Sequence, residues 1–267
     1  MTTIEEYFGL RRQPFPKAAD EKALLINPAI EQILNRMHFA LQRDTICLLD
    51  AECGCGKSTL LSLFAKSLDA ATYQVMATSL TTLSPFSFIA HLVTCYGLPG
   101  RRFKGESAAA LLMHLRGQPK RTVILIDEAH LLPDASLEDL RLLTADNFDR
   151  RSPFALVLVG QPLLRSRLSE PRHDALWQRI GVRLRLRPLA EIEVQLFIDR
   201  HIKAAGYRKR TALFEPQAVA EIFHHSRGIP RLVQNIALDS MLAAMAAQKK
   251  TVDAEAVGQA IIDMEAQ

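Results

Sequence analysis

The chain has 267 residues, 48% of them hydrophobic, and a formal net charge of +4 at pH 7. That length holds one large domain or two moderate ones with ample material for a packed core. It contains no run of about 18 apolar residues that could span a membrane. The opening MTTIEEYFGL lacks the basic-then-apolar order of a secretion signal.

Four cysteines, Cys47, Cys53, Cys55 and Cys95, fit a reducing cytoplasm better than a disulfide framework. The mild basicity permits contact with nucleic acid without requiring it. In chain order, a helix is expected over 29–42 and a mostly apolar strand over 45–50. Directly after that strand comes Ala51-Glu52-Cys53-Gly54-Cys55-Gly56-Lys57-Ser58, then Thr59, with a helix expected over 58–68. Strand, glycine-bearing loop and helix in this order are the context of a phosphate-cradling P-loop. Such a loop turns its backbone N–H groups toward phosphates at a helix N-terminus, where the macrodipole also favours anions. Lys57 is placed to reach the β- and γ-phosphates of ATP, and Ser58 to ligate Mg²⁺. Ala51 stands where such loops usually open with glycine. Cys53 and Cys55 have no further ligand at metal spacing nearby and read as small loop residues.

A second strand is expected over 72–79, then helices over 85–96 and 107–117 broken by Leu98-Pro99-Gly100. The run Thr122-Val123-Ile124-Leu125-Ile126-Asp127-Glu128 is apolar and β-branched up to two carboxylates. Such a run reads as a strand buried on both faces, and therefore as part of a parallel sheet. Asp127 would support Mg²⁺, and Glu128 would orient the attacking water. A helix over 136–146 follows, with Ser136 as its expected N-cap. Strands over 155–160 and 182–186 complete the α/β pattern. Beyond Leu189 no strand is expected. Four amphipathic helices are read there, over 191–205, 216–226, 230–247 and 253–264, and the Ala/Met stripe of the third reads as core. The boundary falls after residue 189, giving an α/β domain over 1–189 and a helical domain over 190–267.

Taken together, these residues resemble the AAA+ ATPases, whose plan is a parallel-sheet α/β P-loop domain followed by a small all-helical lid. The chain is similar to the ExeA-like group in particular, which includes the transposition regulators TniB and TnsC and the ATPase domain of general secretion protein A. The resemblance rests on Tyr7-Phe8-Gly9-Leu10 with Pro14-Phe15, on Leu125 through Leu132, and on Leu158-Val159-Gly160-Gln161-Pro162. It also rests on Gln178-Arg179-Ile180 and on Gly228-Ile229-Pro230-Arg231. It implies that Gln161 senses the γ-phosphate and that Arg179, with Arg172 as runner-up, is an arginine finger acting on a neighbouring subunit. It also implies that Arg231 couples the lid to the nucleotide. The segment 1–28 is expected beside the nucleotide, with Tyr7, Phe8 and Phe15 either walling the adenine pocket or packing as core.

The resemblance further implies a homo-oligomeric ring or filament on duplex DNA that recruits or activates a transposase, with a target-selection protein as a further partner. Exposed Lys and Arg suffice to track a phosphate backbone. The candidates are Arg101, Arg102 and Lys104 between two helices, and Lys120 and Arg121 before the third strand. The alternative is an ATP-driven protein-assembly factor, as in secretion. A replication-type loader is less expected, because no separate DNA-binding module is read after the last helix. No membrane contact is expected.

Overall fold

The computed structural model describes residues 2–16, 23–145 and 152–266. The chain divides into two units. One comprises Pro28–Cys53 and Lys57–Leu186; the other comprises Met1–Asn27, Gly54–Gly56 and Arg187–Gln267.

The first unit is built on five strands: β1 (Ile46–Asp50), β2 (Tyr73–Thr78), β3 (Arg121–Ile126), β4 (Ala155–Gly160) and β5 (Ile180–Arg185). They lie in the order β2-β3-β4-β1-β5, and every neighbouring pair is parallel. The three central strands are the ones whose sequences are continuous apolar runs. β1 and β4 are buried at every position and β3 at all but its first. Edge strand β5 instead alternates, with Ile180, Val182 and Leu184 buried and the residues between them more exposed. Helices cover both faces, as an all-parallel sheet requires. On one side Phe88, Leu92, Leu111, Leu137 and Leu140 pack with Leu48, Ile124, Ile126, Leu156 and Leu158 into a single core.

The helices of this unit are α2 (Pro28–Gln42), α3 (Lys57–Ser67), α4 (Pro85–Cys95), α5 (Lys104–Arg116), α6 (Asp134–Thr144), α7 (Pro162–Leu168) and α8 (Asp174–Arg179). Two expectations are corrected here. α5 begins three residues earlier than its sequence pattern, so Lys104 opens the helix rather than lying in the loop. Ser136 does not cap α6; Pro133 takes that place, and Ser136 is buried in the first turn. Asp146, the expected end of that helix, lies outside the described residues. α7 and α8 were not expected at all.

The second unit is helical: α1 (Ile4–Phe8), α9 (Glu191–Ala204), α10 (Pro216–Ser226), α11 (Pro230–Ala246) and α12 (Ala254–Glu265). An isolated bridge between Phe214 and Val252 is its only β pairing among the described residues. Its core joins Phe8, Leu10 and Phe15 to Val194, Ile198, Val219, Ile222, Val233 and Met241. The first 27 residues therefore group with the helices, not with the α/β domain to which the boundary at 189 assigned them. The reason is apolar: Phe8 and Phe15 find their burial among α9–α11, so both are core residues. Met241, in the Ala/Met stripe of α11, is fully buried as read. α1 is only five residues long. It is fixed by a capping box, in which Thr3 accepts from the Glu6 N–H and Glu6 from the Thr3 N–H.

His201 on α9 lies between two rings, with Phe15 stacked at 5.1 Å and Phe197 at 4.5 Å. It is 2% exposed, and its Nδ1 has no hydrogen-bond partner among the described residues. Burial pushes it down from 6.5 to about 4. An unfolded chain protonates this imidazole below about pH 6.5, whereas the folded one resists until about 4. Folding stability therefore falls as pH drops through that window. Between pH 7 and 5 the helical unit should lose about 2 kcal/mol. His201→Phe, which keeps the ring stacking, should lose markedly less. Urea unfolding at the two pH values measures the difference, and equal losses would remove His201 as the cause.

Candidate active site

β1 ends at Asp50, whose carboxylate is fully buried. Two arginines hold it. Arg165 on α7 brings its guanidinium to Oδ1 and donates through Nη2 to the Leu184 carbonyl at 2.9 Å. Arg185, at the end of β5, donates to Oδ2 at 2.8 Å. A buried carboxylate survives only when so compensated. This triad fixes the point where the chain leaves the sheet. One residue on, the Ala51 N–H donates to the Gly160 carbonyl at 3.0 Å, extending the β1–β4 ladder into the loop.

The loop then turns through Gly54 (φ +82°) and Gly56 (φ +92°). That left-handed region costs a side chain steric strain, so the two glycines sit where the loop needs them. Cys53 is exposed and Cys55 is buried. Lys57 opens α3 and is buried, and its Nζ donates to the Ala51 and Glu52 carbonyls at 3.2 and 3.1 Å. Its ammonium is thus held over the loop it would neutralise around a phosphate. Ser58, the next residue, donates from Oγ to Asp127 Oδ2 at 3.0 Å.

Asp127 follows β3, and its N–H extends the β2–β3 ladder by donating to the Thr78 carbonyl at 2.8 Å. Its Oδ1 accepts the Glu128 N–H at 2.8 Å. Glu128 is itself left-handed (φ +53°), an uncommon state for a residue with a side chain. Thr81 Oγ1 supports this turn from the Glu128 carbonyl at 3.0 Å. Glu128 Oε2 lies 3.5 Å from Nδ1 of His130. The same nitrogen lies 3.5 Å from the Gln161 N–H, at the end of β4. Arg167 holds the 130–134 segment through the His130 and Leu132 carbonyls and Asp134.

Lys57, Ser58, Asp127, Glu128 and Gln161 therefore stand at one edge of the sheet, at the carboxyl ends of β1, β3 and β4. A hydroxyl beside a carboxylate offers the hard oxygen donors that Mg²⁺ takes, and a lysine over a glycine-turned loop suits a phosphate. The residues fit both groups.

Arg179 lies elsewhere. It ends α8, and its carbonyl accepts from Thr45 Oγ1 at 2.9 Å, just before β1 begins. The five residues of β1 separate that edge from the P-loop by about 15 Å. Nearby arginines have identified tasks. Arg172 pairs with Asp134 at 3.0 Å and Glu170 at 2.6 Å. Arg183 lies 3.8 Å over the Trp177 ring, and Arg187 pairs with Glu193 at 2.6 Å. The last pair holds the Glu193 carboxyl down to about 2. Arg231 is the second residue of α11, in the helical unit. Within that unit its N–H donates to the Gly54 carbonyl at 3.2 Å.

The basic residues singled out in the sequence divide. Lys104 is tied to Asp139 at 2.6 Å, and Arg121 to Asp44. Arg101, Arg102 and Lys120 are exposed. Among the described residues no helix is long and apolar enough to cross a membrane.

Residues 40–168 match the family model described as an AAA domain. The fold is that of an AAA+ ATPase. That match, with the loop and strand-end geometry described above, supports ATP hydrolysis as the chemistry of this chain. It is 32% identical over 248 residues to general secretion pathway protein A of Aeromonas hydrophila, covering 90% of this chain but 45% of that protein. The chain thus spans less than half the length of that curated relative. Among solved structures it superposes on the ORC1 protein of Aeropyrum pernix in complex with DNA. The TM-score is 0.67 at 17% identity, over 92% of this chain and 68% of that one. Drosophila ORC bound to DNA gives 0.69 at 18% identity, over 95% and 64%. The Thermotoga maritima RuvB branch migration motor gives 0.57 at 22%, over 92% and 71%. At these identities the structures speak for the fold alone.

Asp50, Arg165, Arg167 and His130 are site residues that the sequence reading did not single out. Arg165→Ala should cost about 3–5 kcal/mol, because it leaves the fully buried Asp50 carboxylate with only the solvent-exposed Arg185 as its partner. Denaturant unfolding measures it, and a loss below 1 kcal/mol would show that the triad does not hold the strand end.

Proposed function

We propose that this AAA+ ATPase works as an oligomer on duplex DNA and regulates DNA transposition by recruiting or activating a transposase. The observation that carries the nucleotide chemistry is the Ser58–Asp127 hydrogen bond, with Lys57 and Glu128 adjoining it in sequence. The DNA reading is supported by the AAA+ fold shared with DNA-bound ORC structures, by the exposed Arg101 and Arg102, and by the resemblance to transposition regulators. A second reading is an ATP-driven protein-assembly factor. The 32% identity with general secretion pathway protein A over 90% of this chain favours it.

In either reading Lys57 holds the β- and γ-phosphates, aided by N–H groups of the loop from Glu52 to Ser58 and of Thr59, the Ala51 N–H being committed to the Gly160 carbonyl. Ser58 and Asp127 hold Mg²⁺, which offsets phosphate charge when bound. Glu128 orients the attacking water and draws its proton, and Gln161 contacts the γ-phosphate or that water. Arg179 stands at the opposite sheet edge from its own P-loop, which suits a residue that completes a neighbour's site. Stabilising charge on the transferring phosphoryl is the task such an arginine performs. Arg231 reports nucleotide state through the helical unit.

Glu128→Gln should keep ATP binding, lower hydrolysis about 100-fold or more, and let oligomers accumulate on DNA. Rapid turnover by that variant would remove Glu128 from the catalytic role. Lys57→Ala should abolish nucleotide binding in a fluorescent-nucleotide titration; unchanged affinity would sink the P-loop assignment. ATPase assays with and without duplex DNA, paired with electron microscopy of the ATP-bound mixture, separate the two functional readings. Hydrolysis that DNA alters, with assembly on the duplex, supports the first. Hydrolysis indifferent to DNA, with no assembly, supports the second.

A further inference from the structure

Two stretches of basic residues almost 200 positions apart meet on the helical unit. The backbone N–H groups of Arg11 and Arg12 both donate to the Ala205 carbonyl, at 2.8 and 3.2 Å. Ala205 closes α9, and the next residue, Gly206, takes φ +96°. A Cβ on Gly206 would lie 2.8 Å from Arg11 Cγ, so the stem of Arg11 lies directly on this turn. Lys203 stands two residues before Ala205. Arg208, Lys209 and Arg210 follow after Tyr207.

All six cationic residues are exposed. Among the described residues no ion pair ties Arg11, Lys203, Arg208, Lys209 or Arg210 to a carboxylate, unlike Lys104 and Arg121. Tyr207 is half-buried in the same turn, its ring 5.8 Å from Lys209 Nζ. Clustered exposed cations raise the local potential and draw anionic partners to it.

We propose that this patch binds the phosphate backbone of nucleic acid. It deepens the DNA reading given above and rests on it. It also relocates much of the contact from the loop before α5 to the turn after α9. The shape of the patch favours a polyanion over a membrane. A basic membrane-surface element carries an apolar face beside its cations. In the turn itself and on to Phe223 no large apolar side chain is exposed among the described residues, the exposed Ile192 and Leu196 lying about two helical turns or more back along α9. Guanidinium and ammonium groups without base-reading side chains grip phosphates and leave sequence unread.

The test is the salt dependence of duplex binding by the full chain, followed by fluorescence anisotropy of a labelled, random-sequence oligonucleotide. Three proteins are compared with the parent: Arg208→Gln/Lys209→Gln/Arg210→Gln, the charge-keeping Arg208→Lys/Arg210→Lys, and Arg101→Gln/Arg102→Gln. Circular dichroism melting confirms that each folds. The triple glutamine variant is expected to bind about tenfold or more weakly, and to lower the slope of log affinity against log salt by about 2 to 3. The lysine variant should bind as the parent does.

If the parent binds DNA and the glutamine variant keeps both affinity and slope, the patch is overturned while the DNA reading stands. If the parent binds neither duplex nor single strand, both fall. If the parent instead sediments with phosphatidylglycerol vesicles, and the glutamine variant does not, the partner is an anionic lipid surface and the nucleic-acid assignment is overturned.

Discussion

Parallel pairing forces every strand of a sheet to end on the same edge, and the chemistry of the α/β unit follows from that constraint. β1, β3 and β4 lie side by side at the centre of the sheet. Their carboxyl ends deliver the P-loop, Asp127 with Glu128, and Gln161 to neighbouring positions. The opposite edge receives whatever precedes the strands, and so Arg179 sits beside Thr45, a strand's length from the phosphate loop of its own chain. One topological rule separates the residues that would hold a nucleotide from the residue that would act on a neighbour's. Open parallel sheets place their ligands in this way as a class.

The triad around Asp50 gives that geometry its rigidity. The strand must end sharply at Asp50 for the loop to turn through two left-handed glycines. A buried carboxylate gripped from α7 and from β5 fixes the end of β1 from two directions. Because both arginines must be present, the α7 and β5 segments are tied to the loop's anchor even though neither contributes to the loop itself. The turn at Glu128 has its own support. A left-handed backbone is held there by Thr81 on the carbonyl and by Asp127 on the N–H, which sets the carboxylate's direction at a cost in backbone strain.

What was legible in the sequence was local. The P-loop and the end of β3 are runs of consecutive residues, and each carries its strand, its turn and its chemistry within about ten positions. The central strands showed because burial on both faces leaves an unbroken apolar run. α7 and α8 did not show, because seven and six residues span less than two full turns and give no period to detect. Ser136 misled because the spacing Ser-x-x-Asp also occurs inside a helix, where Pro133 had already taken the capping place. Asp50 with Arg165, and Arg11 with Gly206, were invisible for another reason. Their partners lie more than a hundred positions apart, and no local pattern announces such a meeting. The N-terminal aromatic residues left two readings open, a nucleotide wall or core, and it took the partners on α9–α11 to decide for core at Phe8 and Phe15.

That last pairing bears on how the molecule is made. Phe8 and Phe15 leave the ribosome before the whole α/β unit, yet their packing partners on α9, α10 and α11 are synthesised after it. The α/β unit, whose own core needs nothing beyond Leu186, can close while the first segment still waits in water. The helical unit is therefore a long-range closure whose two ends bracket an already folded body. Contacts of such sequence separation form late and slowly. Until they form, two large aromatic side chains stay available to other surfaces, which gives a chaperone or a neighbouring nascent chain something to hold.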